Sequence, residues 1–242
     1  MIGSRRRGLA LALLSSFVAF AGCSQGLFSR KYEYEEDIYL RLDGSATVYV
    51  NAAVPALVAL RGADLPLDPR ARLDRQKVRD IYDTPASQVA SVTLSRRDNR
   101  RYVHLRVDVP DIRRLGEAAP FAWSTYRFDR RDQEFEYRQV VGASAGRNVG
   151  SAGWDGRELA AFRLHLPSRV TFNNSPSKTV RRGNIIEWEQ PLADRFKGVP
   201  VDIQVRMDSE SILSHTLSLF GLMAVAVVAT FAVVIWWVRR RV

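Results

Sequence analysis

The sequence predicts an α+β fold: a mostly antiparallel twisted sheet with a few helices on one face, plus one C-terminal transmembrane helix. Alternating apolar and polar residues recur along residues 31–210, the pattern of half-buried strands. Three short segments between the strands have helical periodicity instead. Near the end, 22 uncharged residues run from Leu217 to Val238, enough to cross a membrane.

The chain opens with the pattern of an export signal: a basic segment, a short apolar segment and small residues before Cys23. The order Phe20-Ala21-Gly22-Cys23 resembles the lipobox of bacterial lipoproteins, although Leu usually stands where this chain has Phe20. The resemblance implies that Cys23 carries acyl chains such as palmitate after removal of a signal peptide, residues 1–22. The alternatives are an uncleaved anchor or an ordinary signal. Residues 23–30 would then form a lipidated tether.

Strands are predicted in order along the extracytoplasmic domain, residues 31–210. Residues 32–42 alternate, with Tyr34, Ile38 and Leu40 on the apolar face, and Asp43-Gly44 marks a hairpin turn. The same period predicts further strands at 46–50, 89–94, 103–109, 126–128, 135–137, 162–166, 186–188 and 201–207.

Helices are predicted at three places in this domain. Val54 to Leu60 is short and apolar, Asp74 to Tyr82 is amphipathic with an aspartate cap, and Asp111 to Ala119 is the third. A sheet that is covered by helices on only one face can curl around a cavity.

The C-terminal pattern predicts orientation as well as insertion. A transmembrane helix is expected over residues 212–238, with Trp236 and Trp237 in the aromatic belt. The tail, residues 239–242, contains Arg239, Arg240 and Arg241 and should stay cytoplasmic under the positive-inside rule. Residues 24–210 would then be extracytoplasmic, and we expect the bacterial inner (cytoplasmic) membrane.

The net charge of +10 gives little indication of a nucleic-acid partner. Six of the 36 basic residues are the arginines of the leader and the tail, so 30 remain against 26 acidic residues, or +4. Export also removes nucleic acid as a partner. Arginine pairs at predicted turns are either solvated hairpin tips or contacts for anionic headgroups. They are found at 96–97, 100–101, 113–114, 130–131 and 181–182.

Catalytic signals are weak. Gly142-Ala143-Ser144-Ala145-Gly146 matches the G-x-S-x-G nucleophile pattern, but glycines follow where that motif needs a helix. Asp155 and His165 are too close in sequence to complete the triad of an α/β-hydrolase. We therefore expect a glycine-rich loop around Ser144, no catalytic residue and no enzyme activity.

Metal and cofactor sites are not predicted either. The three histidines, His104, His165 and His215, have no paired ligand spacing, and there is no second cysteine. His104 and His165 fall on polar strand faces, where a solvated or hydrogen-bonding role is expected.

Two motifs resemble a known family. Leu166-Pro167-Ser168-Arg169-Val170 followed by residues 183–188, Gly-Asn-Ile-Ile-Glu-Trp, is similar to the closing part of the LppM-type bacterial lipoprotein domain. The early Asp43-Gly44-Ser45-Ala46 hairpin is also similar. The resemblance implies a lipid-contacting envelope domain with an apolar cavity and no known catalysis, and it identifies no binding residue.

Together these patterns predict a membrane-anchored cell-envelope lipoprotein that binds a lipid or another apolar ligand. Aromatic residues at strand spacing supply material for such a site, although they more often belong to an ordinary core. They are Phe121, Trp123, Tyr126, Phe128, Phe135, Tyr137 and Trp154. The alternative is a structural or assembly partner that docks another envelope protein, and a serine hydrolase is the third hypothesis.

Overall fold

The computed structural model describes residues 30–97, 99–210 and 212–241. The leader, Cys23 and nearly all of the predicted tether lie outside these residues. The strands are β1 Lys31–Leu40, β2 Ala46–Ala53, β3 Gln88–Arg97, β4 Arg100–Val109, β5 Ser124–Arg131, β6 Glu134–Val141, β7 Glu158–His165, β8 Val170–Asn173, β9 Ile185–Pro191 and β10 Val201–Asp208. The α-helices are α1 Val54–Arg61, α2 Arg75–Tyr82, α3 Leu192–Phe196 and α4 Ile212–Arg241.

The strands form two sheets. The first has the order β3-β4-β2-β1-β7-β9 and the second the order β5-β6-β10-β8. The predicted α+β class with mostly antiparallel pairing is confirmed. All the predicted strands are present, usually longer than the alternation indicated, and the structure adds the short strand β8 and the short helix α3.

The β1–β2 hairpin shows how local sequence determines this pairing. Leu40 lies opposite Ala46, and Gly44 has a left-handed φ of 84° that a residue with a Cβ seldom adopts. The Asp43 carboxylate accepts the backbone N–H of Ser45 at 2.9 Å, which fixes the turn. The predicted turn is therefore present.

The first two predicted helices form with recognisable ends. α1 has Pro55 in its first turn and stops at Gly62, whose φ is 68°. α2 is capped by Asp74, whose Oδ1 accepts the backbone N–H of Gln76 at 2.8 Å.

The third predicted helix is instead a pair of 3-10 helices, Ile112–Glu117 and Ala119–Phe121. Gly116 explains part of the difference, because a Cβ there would lie 3.0 Å from the Ser124 carbonyl oxygen of β5. This segment passes too close to the second sheet for a regular amphipathic helix.

The core is continuous and includes residues from both sheets. Ile38 and Val48 contribute from the first sheet, and Tyr137 and Val205 from the second. α1 is buried along most of its length. The interior between the sheets is therefore filled mainly by aliphatic and aromatic side chains.

Helix α4 is 30 residues long, and its window Leu219–Arg240 is apolar and long enough to cross a membrane. None of the side chains in this window is buried in the protein. At 1.5 Å per residue the 22 residues span about 33 Å, against about 30 Å of bilayer hydrocarbon. This helix indicates a membrane-associated protein.

Candidate functional site

The most unusual feature inside the domain is an ion pair between Glu36 of β1 and Arg61, the last residue of α1. Glu36 Oε2 and an Arg61 terminal nitrogen are 2.5 Å apart, with side-chain exposures of 0% and 2%. Glu36 also accepts from the Tyr34 hydroxyl at 2.7 Å and from the Gln139 amide at 3.0 Å. We call Tyr34, Glu36, Arg61 and Gln139 the ion-pair centre, which links the first sheet to the second.

Aromatic rings enclose this centre. The Arg61 guanidinium lies 3.6 Å from the ring centre of Trp123 and 4.8 Å from that of Tyr34. Burial raises the pKa of the Tyr34 hydroxyl well above its ordinary value, with a further contribution from Glu36 that Arg61 opposes. Burial also raises the pKa of Tyr82 to about 12. These phenols therefore remain neutral hydrogen-bonding groups at physiological pH.

A second buried arginine lies beside the same indole. The Arg195 guanidinium is 4.9 Å from the Trp123 ring centre, and it donates to the carbonyls of Val199, at 2.6 Å, and Gly142. Burial, together with repulsion from Arg61, lowers the pKa of Arg195 to about 10. Its only described acceptors are uncharged oxygens, so the region around Trp123 carries two cations and one anion.

The sequence contains an indication of the ion-pair centre: two charged residues at positions that face the core. The assignment of strands from alternation made no use of these two residues. Glu36 has the same parity in β1 as Tyr34 and Ile38, so it had to point to the apolar face. Arg61 ends an otherwise apolar helix. A charged residue on each of two buried faces is the pattern that predicts an internal ion pair.

The predicted aromatic set is mostly structural. Phe121, Tyr126, Phe128 and Tyr137 are buried in the core. Trp123 and Phe135 pack partly against it. Trp154 is partly exposed, and its ring centre is 5.4 Å from that of the exposed Phe196. Most of these aromatic residues thus belong to the core, the more frequent role of aromatic residues at strand spacing.

A cleft of about 350 Å³ opens on the surface near the β3–β4 turn. Its size falls in the range of roughly 300–1,000 Å³ that is usual for small-molecule sites. We call it the arginine cleft, and it is lined by Pro55, Leu67, Pro69, Asn99, Arg100, Arg101, Val149, Ser151, Ala152 and Gly153.

The lining of the arginine cleft is amphipathic, and none of its described residues is acidic. Arg101 is nearly buried, and it donates to the carbonyls of Ala71, at 2.8 Å, and Pro66. Burial, with repulsion from Arg96, lowers the pKa of Arg101. Its guanidinium is therefore held by neutral oxygens, and among the residues that the structure describes no carboxylate forms an ion pair with it.

Arg100 is held differently. It donates to the buried carboxylate of Glu33 and to the carbonyl of Gly153. The same carboxylate accepts the Trp154 indole N–H at 3.1 Å. Glu33 thereby ties the wall of the cleft to β1 and neutralises Arg100, which leaves Arg101 as the stronger source of positive potential.

One wall of the cleft is the glycine-rich segment 142–157, which we call the strap. It is fastened to the domain where Gly142 donates to the Trp123 carbonyl at 2.7 Å and Ala145 donates to the Leu60 carbonyl at 2.9 Å. Four of its glycines have left-handed φ angles of 63° to 85°. The glycine-rich loop expected around Ser144 is present.

Asp155 and His165, the residues considered as triad partners of Ser144, contact other side chains. Asp155 binds Arg157 at 2.7 Å, and His165 lies 3.3 Å from Asp37 and stacks on Tyr39. The described partners of Asp155 and His165 are therefore Arg157, Asp37 and Tyr39.

The histidines of the first sheet lie on its polar outer face, as their parity predicted. The His104 ring nitrogens lie 2.8 Å from Ser95 Oγ and 2.9 Å from Asn51 Oδ1. Among the described residues no cluster of three or more His, Cys, Asp or Glu side chains could hold a metal ion. The side chain of His215 lies outside the part of the chain that is described.

The predicted membrane-anchor residues lie at the end of α4. Trp236 and Trp237 are exposed, and the Arg240 guanidinium lies 4.0 Å from the Trp236 ring centre. Arg239 follows Trp237 in the same helix, and α4 ends at Arg241. The predicted lipidation site, Cys23, lies outside the described residues.

Comparison with known proteins gives one weak similarity. No protein-family model and no curated protein matches the chain. Among solved structures, the chain is similar to the NMR structure of the folded domain of the LppM protein of Mycobacterium tuberculosis. The match has 13% sequence identity and a TM-score of 0.42, and it covers 76% of this chain and 95% of that domain. It agrees with the resemblance expected from the sequence motifs, and a similarity this weak assigns no function.

Proposed function

We propose that this chain is a membrane-anchored, non-catalytic lipoprotein of the bacterial inner membrane that binds an anionic amphiphile, such as a lipid, in the arginine cleft. The observation that carries the proposal is the lining of that cleft. Apolar walls from Leu67 and Val149 stand beside Arg101, which has neutral oxygens and no ion-paired carboxylate as partners in the described part of the chain. Such a site offers an apolar surface to a hydrocarbon chain and a fixed cation to a phosphate or carboxylate.

The membrane helix supports the same proposal. A domain tethered to a bilayer meets lipids at a high effective concentration, so a small cleft of modest affinity is sufficient. In this arrangement the acyl chains on Cys23 and helix α4 are anchors, the extracytoplasmic domain is the binding unit and the arginine tail stays in the cytoplasm.

The test is native mass spectrometry of the full chain released from detergent micelles that contain equal amounts of phosphatidylglycerol and phosphatidylethanolamine. Leu67→Asp adds a negative charge to the apolar wall and should lower retention of phosphatidylglycerol by about tenfold, because it removes an apolar contact and repels the headgroup. Val180→Asp is the matched control, since Leu67 and Val180 are exposed to 36% and 39%.

Equal retention of phosphatidylglycerol by Leu67→Asp and Val180→Asp would overturn the proposal. A protein that co-purifies in stoichiometric amounts, with no retained lipid, would favour the docking of another envelope protein. Labelling of Ser144 by a serine-directed probe, lost in Ser144→Ala, would favour a hydrolase.

A further inference from the structure

A second cleft, of about 650 Å³, lies at the end of the second sheet from which the chain continues into α4. We call it the basal cleft. It is lined by Arg130, Gln133, Glu134, Arg169, Thr171, Asp208, Ser209 and Glu210. All eight residues are hydrophilic, so this cleft is unlike the amphipathic arginine cleft.

The topology places this cleft next to the membrane helix. Four strand ends meet there: Arg131 of β5 and Asp208 of β10 both lie opposite Glu134, the first residue of β6, and β8 begins at Val170. Backbone hydrogen bonds close this end, from Ser209 to Gln133 at 2.9 Å and from Asp208 to Arg169 at 3.0 Å.

The distance to the bilayer follows from helix geometry. α4 begins at Ile212 and its apolar window begins at Leu219, so seven residues separate them, or about 10 Å along the helix. The headgroup layer on each side of a bilayer is about 5–8 Å thick. With α4 in a membrane, the basal cleft therefore lies at or just above the headgroups.

The charges of the cleft decide which headgroup it suits. Arg130 and Arg169 supply two positive charges, and Glu134, Asp208 and Glu210 supply three negative charges. Asp208 binds Arg169 at 2.9 Å, and Glu134 lies 3.6 Å from Arg206 on the neighbouring strand. With Arg206 counted, three positive and three negative charges lie in or beside this cleft. Such a balance suits a headgroup that also carries both signs, because its phosphate can meet a guanidinium and its ammonium group a carboxylate.

Arg130 is the cation best placed to hold a phosphate. It sits at the tip of the β5–β6 hairpin, and its closest described acceptor is the Asp132 carbonyl, 3.4 Å from Nε. Its guanidinium is 5.9 Å from the Phe135 ring centre. No ion pair with a carboxylate is described for it, so it can donate several hydrogen bonds to phosphate oxygens.

We infer that the basal cleft binds the headgroup of a zwitterionic phospholipid of the bilayer, with its phosphate on Arg130 and its ammonium group among Glu134, Asp208 and Glu210. Binding in this manner would fix the domain against the membrane surface. The inference requires α4 to lie in a membrane and does not depend on the arginine cleft.

The experiment uses the full chain in nanodiscs of equimolar phosphatidylethanolamine and phosphatidylglycerol, with retained lipids counted by native mass spectrometry. In the Leu67→Asp background, which removes phosphatidylglycerol from the arginine cleft, the chain should retain phosphatidylethanolamine in preference to phosphatidylglycerol. Arg130→Gln should lower that retention about tenfold, the effect of removing a charge-assisted hydrogen bond. Glu134→Gln removes one carboxylate and should shift the preference towards phosphatidylglycerol.

Arg127→Gln is the matched control, because it makes the same change on an exposed residue of the same strand outside the cleft. Circular dichroism should show that all three variants are folded. Equal retention of the two lipids by Leu67→Asp, or equal losses of phosphatidylethanolamine in Arg127→Gln and Arg130→Gln, would overturn the inference. Leu67→Asp affects only phosphatidylglycerol in the arginine cleft, so failure of one site is distinguishable from failure of the other.

Discussion

Glu36 and Arg61 form an ion pair that is almost completely removed from solvent, with 2.5 Å between the paired atoms. Arg61 also donates to the Pro120 carbonyl at 2.6 Å, and Gln139 donates to Glu36 at 3.0 Å. The pair therefore joins β1, α1, the 3-10 segment and β6. This arrangement makes the relative position of the two sheets depend on a few polar contacts within an apolar core.

The first prediction concerns the cost of breaking this pair. Glu36→Gln leaves the Arg61 charge buried without its carboxylate, which should lower the free energy of unfolding by roughly 3–5 kcal/mol. Replacing both residues, Glu36→Leu with Arg61→Met, removes both desolvated charges and should cost less than the single change. Denaturant unfolding followed by tryptophan fluorescence measures both values.

Arg157→Gln provides the control for an ion pair at the surface. Arg157 and Asp155 are exposed to 71% and 39%, so its loss should change stability little. A double variant less stable than Glu36→Gln would contradict the prediction. It would show that the ion pair stabilises the fold more than apolar side chains at the same two positions do.

The second prediction is alkaline destabilisation. The pKa of Tyr82 is about 12 in the folded domain because of burial, against about 10 in an unfolded chain. The stabilising effect is fully present below pH 10, since both states are then protonated. Above it the unfolded state loses the proton first, so stability falls by about 1.4 kcal/mol per pH unit until the folded pKa is reached.

Tyr34, Tyr126 and Tyr137 also have raised pKa values, chiefly through burial, and should add to this slope. Tyr82→Phe is a sharp control, because no hydrogen-bond partner is described for the Tyr82 hydroxyl. It should reduce the loss of stability between pH 10 and 12 and leave stability near neutrality unchanged. Tyrosinate absorbance that rises fully near pH 10 in the folded chain would contradict the prediction.

The face of the sheet on which each strand residue lies could be predicted from sequence, because the alternation of side chains involves only neighbouring residues. The parity of Tyr34, Ile38 and Leu40 placed them inside, and the parity of His104 placed it outside. The turn at Gly44 followed from equally local chemistry.

The division into two sheets could not be predicted in the same way. It depends on pairings between distant strands, such as Val201 of β10 with Val141 of β6, and a single sequence has no local signal for them. α3 has only five residues, too few for a helical period. Both clefts are formed where distant segments meet, so their residues had no common motif.

The third prediction concerns the attachment of the strap. A Cβ at Gly142 would lie 2.9 Å from the Trp123 carbonyl oxygen, which also accepts the Gly142 N–H at 2.7 Å. Gly142→Ala should force these backbones apart and cost about 1–3 kcal/mol. Thermal unfolding of the variant measures the loss.

Gly146→Asn is the comparison within the same strap. Gly146 has a φ of 63° with no atom within 4 Å of the added Cβ, and asparagine tolerates this conformation better than other residues with a side chain. It should be nearly neutral. A loss in Gly146→Asn as large as that in Gly142→Ala would mean that glycine is needed along the whole strap and not at its attachment.

The fourth prediction tests membrane topology with introduced cysteines. Cys23 is the only cysteine of the chain, and lipidation of its thiol would leave the wild-type chain without a reactive group. Ser177→Cys lies in the exposed turn after β8 and should react with a membrane-impermeant maleimide in intact cells. Val242→Cys follows the three arginines of the tail and should react only after permeabilisation, because the positive-inside rule predicts a cytoplasmic location for that tail.

The two reporters give a reciprocal test of this arrangement. Labelling of Val242→Cys in intact cells, with Ser177→Cys protected, would reverse the orientation and place both clefts on the cytoplasmic side. Labelling of both would mean that α4 does not span the membrane, and the headgroup distance on which the basal cleft depends would be lost. Labelling of the wild-type chain would show instead that Cys23 keeps a free thiol, so helix α4 would have to anchor the domain without an acyl chain.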